Sequence, residues 1–287
     1  MSKKIAIVSD SSASLTEEVL KEYNIHTSYL MIIFGQDSYQ EFKELTPAKF
    51  IELSAAQAEL PSTSQPAIGV TVELYEGLLA DGYDEIIHIT ISSGLSGSYQ
   101  SAITAAEMVS AEKIHVFDSK TVAFPQGALA IKAAELAKDG KYVAEITGAL
   151  KKMQEHTHVS ATVKTLDNLK KGGRLSNASA VIGSMLQVKP IIAMSPVGKL
   201  EAVSKVRTFK KAIQALIDIA KNANLDESYE IGVIHVLNVE DATTLKNAIA
   251  ELYPTVTIHL VPLSLVVSAH VGEGTIAVSW AQTKLGN

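Results

Sequence analysis

Cysteine is absent from the 287 residues. That excludes disulfides, thiolate metal sites and cysteine nucleophiles, and it suits a reducing compartment. Basic residues are also scarce: 25 Lys and Arg stand against 31 Asp and Glu, a net charge of −6. Lys151-Lys152, Lys170-Lys171 and Lys210-Lys211 are isolated pairs, so a nucleic-acid or anionic-membrane surface is not expected. No apolar run approaches the ~20 residues that span a bilayer. The strand after Met1-Ser2-Lys3-Lys4 is too short for a signal-peptide core, and a soluble, cytoplasmic protein is expected. No Gly-x-Gly-x-x-Gly follows the first strand and no Gly-Lys-Ser/Thr loop occurs, so the chain has no motif of its own for a nucleotide. The eight histidines are scattered without His-x-x-x-His spacing, and even His156 and His158 straddle a helix end. Neither a metal nor another cofactor is expected.

What is present is apolar residues, 47% of the chain against 20% charged. That is ample for a core and suits two α/β domains at this length. Ile5 to Val8 reads as a buried parallel strand ending at Ser9-Asp10-Ser11-Ser12. Further strands are expected over Tyr29 to Phe34, Glu85 to Ile91 and Lys113 to Phe117. Helices between them are expected at Pro47 to Gln57, Gly69 to Leu79 and up to Val109, followed by two more at Gln126 to Lys138 and Val143 to Glu155. This alternation predicts a doubly wound, mostly parallel sheet. A boundary near residue 158 divides an N-terminal α/β domain, 1–158, from a C-terminal α/β domain, 159–287. In the latter, helices are expected near Thr165 to Lys171 and from Ala178, with strands at Pro190 to Met194 and Leu200 to Ser204. An amphipathic helix carries Phe209, Ile213, Leu216, Ile217 and Ala220. Strands at Glu230 to Val236 and Val256 to Val261 flank a helix after Asn238, and a last helix is expected from about Gly274.

Two hydroxyl-rich runs stand out: Thr63-Ser64-Gln65-Pro66 and Ser92-Ser93-Gly94-Leu95-Ser96-Gly97-Ser98. Each precedes a helical stretch, where unpaired N–H groups and the helix dipole favour an anion such as a carboxylate or phosphate. Ordinary N-capping explains either run alone. His270 sits beside Gly272 and Gly274, and Arg174 follows Gly172-Gly173; each is either a solvated loop residue or an anion-facing group. Ser93-Gly94-Leu95-Ser96-Gly97 lacks the Gly-x-Ser-x-Gly spacing of a hydrolase elbow.

Taken in order, these runs resemble the DegV family of bacterial fatty-acid-binding proteins. The resemblance is carried by Asp10-Ser11-Ser12-Ala13-Ser14-Leu15, Pro61 to Pro66, Ser92 to Gly97, Asp118-Ser119, Thr165 to Ser176, Lys189-Pro190-Ile191 and His270-Val271-Gly272. Departures fall at Ser14, Ala67 and Glu273, where the family usually has an acidic residue, Ser and Pro. The resemblance implies two α/β domains with one fatty acid buried between them. The positions matching Thr63, Ser93 and His270, with backbone N–H groups around Ser64 and Gly94, would hold its carboxylate. A separate fatty acid kinase would make the acyl phosphate, an entry to phospholipid synthesis, and this chain would itself be a carrier rather than an enzyme. Arg174 and Arg207, with Lys189 as a weaker choice, are candidates to face that partner or the phosphate. The alternatives are an acyl hydrolase using Ser93 and His270, a small-molecule kinase subunit, or a protein adaptor with no ligand.

Overall fold

A computed structural model describes residues 3–57, 61–176 and 188–284. The helix expected from Ala178 lies outside them. The first sheet has four parallel strands in the order β2-β1-β6-β7. These are β1 (Ile5–Asp10), β2 (Ile25–Ser28), β6 (Glu85–Thr90) and β7 (Ile114–Asp118). Every residue of β1 is buried, as expected of a strand covered on both faces. One face packs on α3 (Ile68–Ala80) and α4 (Ser98–Val109) through Tyr75, Leu78, Ala105 and Ala106. The other packs on α5 (Phe124–Lys138) and α6 (Val143–Gln154) through Leu129, Ala133, Ile146 and Leu150.

The second sheet has six strands, mostly antiparallel, in the order β10-β9-β8-β13-β11-β12. These are β8 (Thr157–Thr162), β9 (Lys189–Met194), β10 (Leu200–Val206), β11 (Tyr229–His235), β12 (Thr257–Pro262) and β13 (Ile276–Gln282). Here the expected last helix is corrected to a strand. Ile276–Gln282 pairs with both β8 and β11. Its largely apolar sequence reflects burial on two faces, not helical periodicity. The C-terminal unit is thus a mixed sheet, covered on one face by α8 (Phe209–Asn222) and α9 (Val239–Leu252) through Leu216, Ala220, Leu245 and Ile249.

The register lines up a transverse row on the opposite face: Ala202, Ile192, Ala161, Ala277, Ile234 and Val261 are successive partners. Two residues along, Val159, Ser279, Gly232 and His259 form the next row of the same face. Small side chains at Ala161 and Ala277, between two isoleucines, leave a trough.

A small antiparallel sheet, β4-β3-β5, completes the architecture: β3 (Met31–Phe34), β4 (Asp37–Gln40) and β5 (Ser62–Ser64). The expected strand Tyr29 to Phe34 is therefore shorter and belongs to a separate sheet. Leu30, Ile32, Phe34 and Phe50 pack there against Leu265, Val266 and Ala269 of α10 (Leu265–Val271). Among the described residues the remaining α-helices are α1 (Glu17–Tyr23), α2 (Pro47–Ala56) and α7 (Asp167–Lys171), and Ser11–Ala13 forms a 3-10 turn. Thr16 and Thr46 cap α1 and α2, with Pro47 opening α2.

Candidate functional site

An apolar cavity, partly open to solvent, lies over the trough. Its floor is Ile192, Ala161, Ala277, Ile234 and Val159; Leu30, Ile91, Leu95, Val122, Leu263, Val266 and Val267 close over it. Its polar lining is Thr63, Ser64, Gln65, Ser96, Arg174, His270 and Thr275. These gather at one end, as their contacts show. Thr63 Oγ1 and His270 Nε2 share a hydrogen bond of 2.7 Å. A Cβ on Gly172 would stand 2.9 Å from His270 Nδ1. Arg174 donates from Nε to Leu95 O at 3.2 Å and from Nη1 to Gly172 O. Thr275 Oγ1 bonds Val271 O and Gly272 O.

Two short elements set this geometry. Thr63 lies on β5, opposite buried Ile32. It is thus on a strand five residues before α3, and its hydroxyl, not a helix-terminal N–H, is what it offers. His270 is in the last turn of α10, not in a turn before a later helix. The start of that helix is tied down by Glu41, whose carboxylate accepts from Leu265 N and from Val266 N at 3.2 Å. Ser264 N donates to Ser14 Oγ at 3.0 Å, so the Ser14 departure supplies an acceptor. Burial lifts Glu41 to about 7. Glu273, the other marked departure, is exposed and pairs with Lys164 at 3.5 Å.

Burial, with the Arg174 guanidinium nearby, lowers His270 to about 4. Its imidazole is therefore neutral near pH 7 and brings one N–H and one lone pair. With Nε2–H donating to Thr63 Oγ1, the Thr63 hydroxyl proton is left free for an entering carboxylate. Arg174 adds a fixed positive charge at the same end, with further N–H groups beyond the two bonds named.

The second hydroxyl run is placed differently. Ser93 is exposed; its Oγ donates to Asp118 Oδ2 at 2.6 Å and its N to Asp118 Oδ1 at 3.0 Å. Gly94 lies against the β9–β10 turn, where a Cβ would collide with Gly198 O. Ser92 Oγ donates to that same carbonyl at 2.6 Å. This run thus clasps the two larger sheets together, and it is Leu95 and Ser96 that reach the cavity. Lys189 and Arg207 lie toward the end of the β9–β10 hairpin opposite Met194 and Leu200. At about 3.3 Å per residue, Arg207 is roughly 20 Å along the strand from Leu200, and it is exposed. Ser96, Gln65 and the alanine floor were missed as site residues. Position in the Ser92–Ser98 run pointed toward Ser96, but nothing in the local sequence marked the alanines.

Comparison with known proteins adds three findings. The model of the DegV family, described as "Uncharacterised protein, DegV family", matches residues 4–283. A DegV domain-containing protein of Halalkalibacterium halodurans is 37% identical over 278 residues, covering 96% of this chain and 98% of that protein. Two crystal structures superpose along the whole length. One is DegV, a fatty acid binding protein from Bacillus subtilis: 37% identity, TM-score 0.87, 98% of this chain and 100% of that one. The other is a fatty acid binding DegV family protein from Streptococcus agalactiae: 31% identity, TM-score 0.89, with the same coverage.

Proposed function

The chain belongs to the DegV family, and from that premise we propose that it binds one long-chain fatty acid and presents its carboxylate to a separate kinase for acyl-phosphate formation. The observation that carries the binding half is the cavity itself. It has a hydrocarbon trough with polar groups gathered at one end around the Thr63–His270 pair. An unpaired carboxylate out of water is prohibitively costly, and Thr63 and Ser64 supply donors, with His270 holding the Thr63 hydroxyl, beside the Arg174 charge. Each buried methylene adds about 0.8 kcal/mol, so the trough, not the head group, dominates affinity. In this reading the units 1–158 and 159–287 meet over the ligand, and the Ser93–Gly94 run braces that meeting.

The kinase half rests on the family resemblance and on exposure. The partner brings ATP and its metal, and it acts with this carrier in the cytoplasm. Arg174 stands beside the head group and faces the phosphate. Arg207, with Lys189 nearby, is remote from the polar end and suits a docking contact instead. An acyl hydrolase would require Ser93 Oγ to meet His270. Ser93 is bonded to Asp118 and His270 to Thr63, so that pair is not assembled.

Organic extraction of the purified protein followed by lipid mass spectrometry tests the binding half. A long-chain fatty acid at near-stoichiometric amount is expected. Protein that yields none and takes up none when it is added refutes the carrier. Addition of a fatty acid kinase and ATP should then convert the bound acid to acyl phosphate.

A further inference from the structure

Phe124 stands between the cavity and a second one. Its chain neighbours Val122 and Ala123 line the cavity, whereas Phe124 lines an adjoining groove with Leu15, Val19, Ile131 and Val261. Both spaces lie over the same face of the six-stranded sheet. Ile234 floors the first, Val261 the second, and the two are register partners on β11 and β12. Adjacent strands are about 4.8 Å apart, so the partition is one side chain thick.

That side chain is the Phe124 ring. It rests on Gly232, where a Cβ would collide with Phe124 Cγ and stand 2.7 Å from Cβ and Cδ1. The ring also lies 5.2 Å from the His259 ring, tilted 34° to it. Gly232 and His259 are themselves register partners one step along from Ile234 and Val261. The absence of a side chain at Gly232 is what lets the ring lie down on the sheet. Turning it aside would join the trough to the groove without moving a strand.

We propose that Phe124 is the stop that sets acyl-chain length: the chain's methyl end lies against the ring, and longer chains enter the groove only when the ring is displaced or removed. This rests on the fatty-acid reading of the cavity. The groove suits a hydrocarbon tail, being floored by Leu15, Val19, Ile131 and Val261 behind a net acidic rim of Glu22, Glu135 and Glu230, with Lys132 paired to Glu135 at 3.3 Å. Its acidic rim would repel a carboxylate, so the tail and not the head group enters it.

Delipidated parent, Phe124→Ala and Phe124→Leu are titrated calorimetrically with palmitic, stearic, arachidic, behenic and lignoceric acids. The parent should show an optimum and then fall off. Phe124→Ala should shift the optimum to longer acids, gaining about fourfold in affinity for each methylene newly buried; Phe124→Leu should fall between. The double variant Phe124→Ala/Val261→Phe, which refills the groove, should move the optimum back. Thermal melts establish that each variant is folded, and Phe124→Leu carries the test if the alanine variant is not. A purely structural Phe124 would weaken all lengths alike. An optimum unchanged in the folded variants overturns the proposal while leaving the carrier intact. Failure of the parent to bind any of the acids overturns both.

Discussion

Thr63→Val removes one hydroxyl at nearly constant volume from the polar end of the cavity. The hydroxyl lies 2.7 Å from His270 Nε2 and is the natural donor to a carboxylate there. A hydrogen bond to a charged group is worth about 1.5–3 kcal/mol, so fatty-acid affinity should fall by roughly 10- to 150-fold. Stability should change far less. Only one bond between neutral groups is lost, about 1 kcal/mol, and valine is favoured on a strand such as β5. Calorimetric titration of delipidated parent and variant with stearic acid, alongside thermal melts, measures both. Stearyl alcohol provides the internal control. Its neutral head group should lose less than the acid does, whereas damage to the trough would weaken acid and alcohol equally. Affinity for the acid within twofold of the parent, in a folded variant, would refute a carboxylate site at Thr63.

Arg174→Ala should weaken fatty-acid binding less than Thr63→Val does, because the two placed guanidinium bonds go to Leu95 O and Gly172 O and only the charge beside the head group is lost. Turnover in a kinase-coupled assay should fall, and normal turnover at both low and high salt would reduce Arg174 to a brace. The same variant should raise the His270 titration, followed by NMR, from about 4, since the guanidinium is one cause of its depression. Acid should destabilise the protein. Burial lowers both His270 and His158 to about 4, so an unfolded chain with histidines near 6.5 takes up protons that the folded one refuses. Stability from these groups is present above about pH 6.5 and is lost as pH falls toward 4. Glu41, raised to about 7, acts in the opposite sense, gaining stability as pH falls from 7 toward 4.5. Two histidine protons against one carboxyl proton give these three groups a slope of about 1.4 kcal/mol per pH unit, and burial lowers His26 and His235 in the same sense as the other histidines. Urea melts across that window measure it, and stability that stays flat or rises on acidification would contradict the burial of the two imidazoles.

Much of the fold was legible where burial imposes a single pattern. Ile5 to Val8 and Glu230 to Val236 are rich in β-branched residues, and the Phe209 stripe repeats at helical spacing. Legibility failed where side chains are small or polar for reasons set by distant partners. Thr157–Thr162 carries only Val159 and Ala161 toward the cavity, so its strand character depends on β13 and β9. Ile276–Gln282 contains Ala277, where the trough needs room, and Ala281, packed in the cluster of Leu129 and Ala133 of α5, and alanine reads as helix. Ser62–Ser64 is a strand only because β3 lies beside it. In the site, the resemblance brought Thr63 and His270 to notice, but their contact spans 207 positions and had no local signal. Ser93 was attractive as an exposed hydroxyl after a strand; its proximity to Asp118 reflects the parallel pairing of β6 with β7.

The place of β13 in its sheet also governs when the molecule can acquire its interior. The four-stranded sheet is complete once residue 118 has been made. The floor of the cavity is not, because β13 is inserted between β8 and β11, joining segments that left the ribosome more than a hundred and about forty residues earlier. Until Gln282 emerges, β8 and β11 have no common neighbour and their pairing edges face water. Such late, long-range closure is slow, and until it occurs the apolar floor of the trough is incomplete and open to water. On the proposed carrier reading, a ligand can be taken up only after β13 has been made.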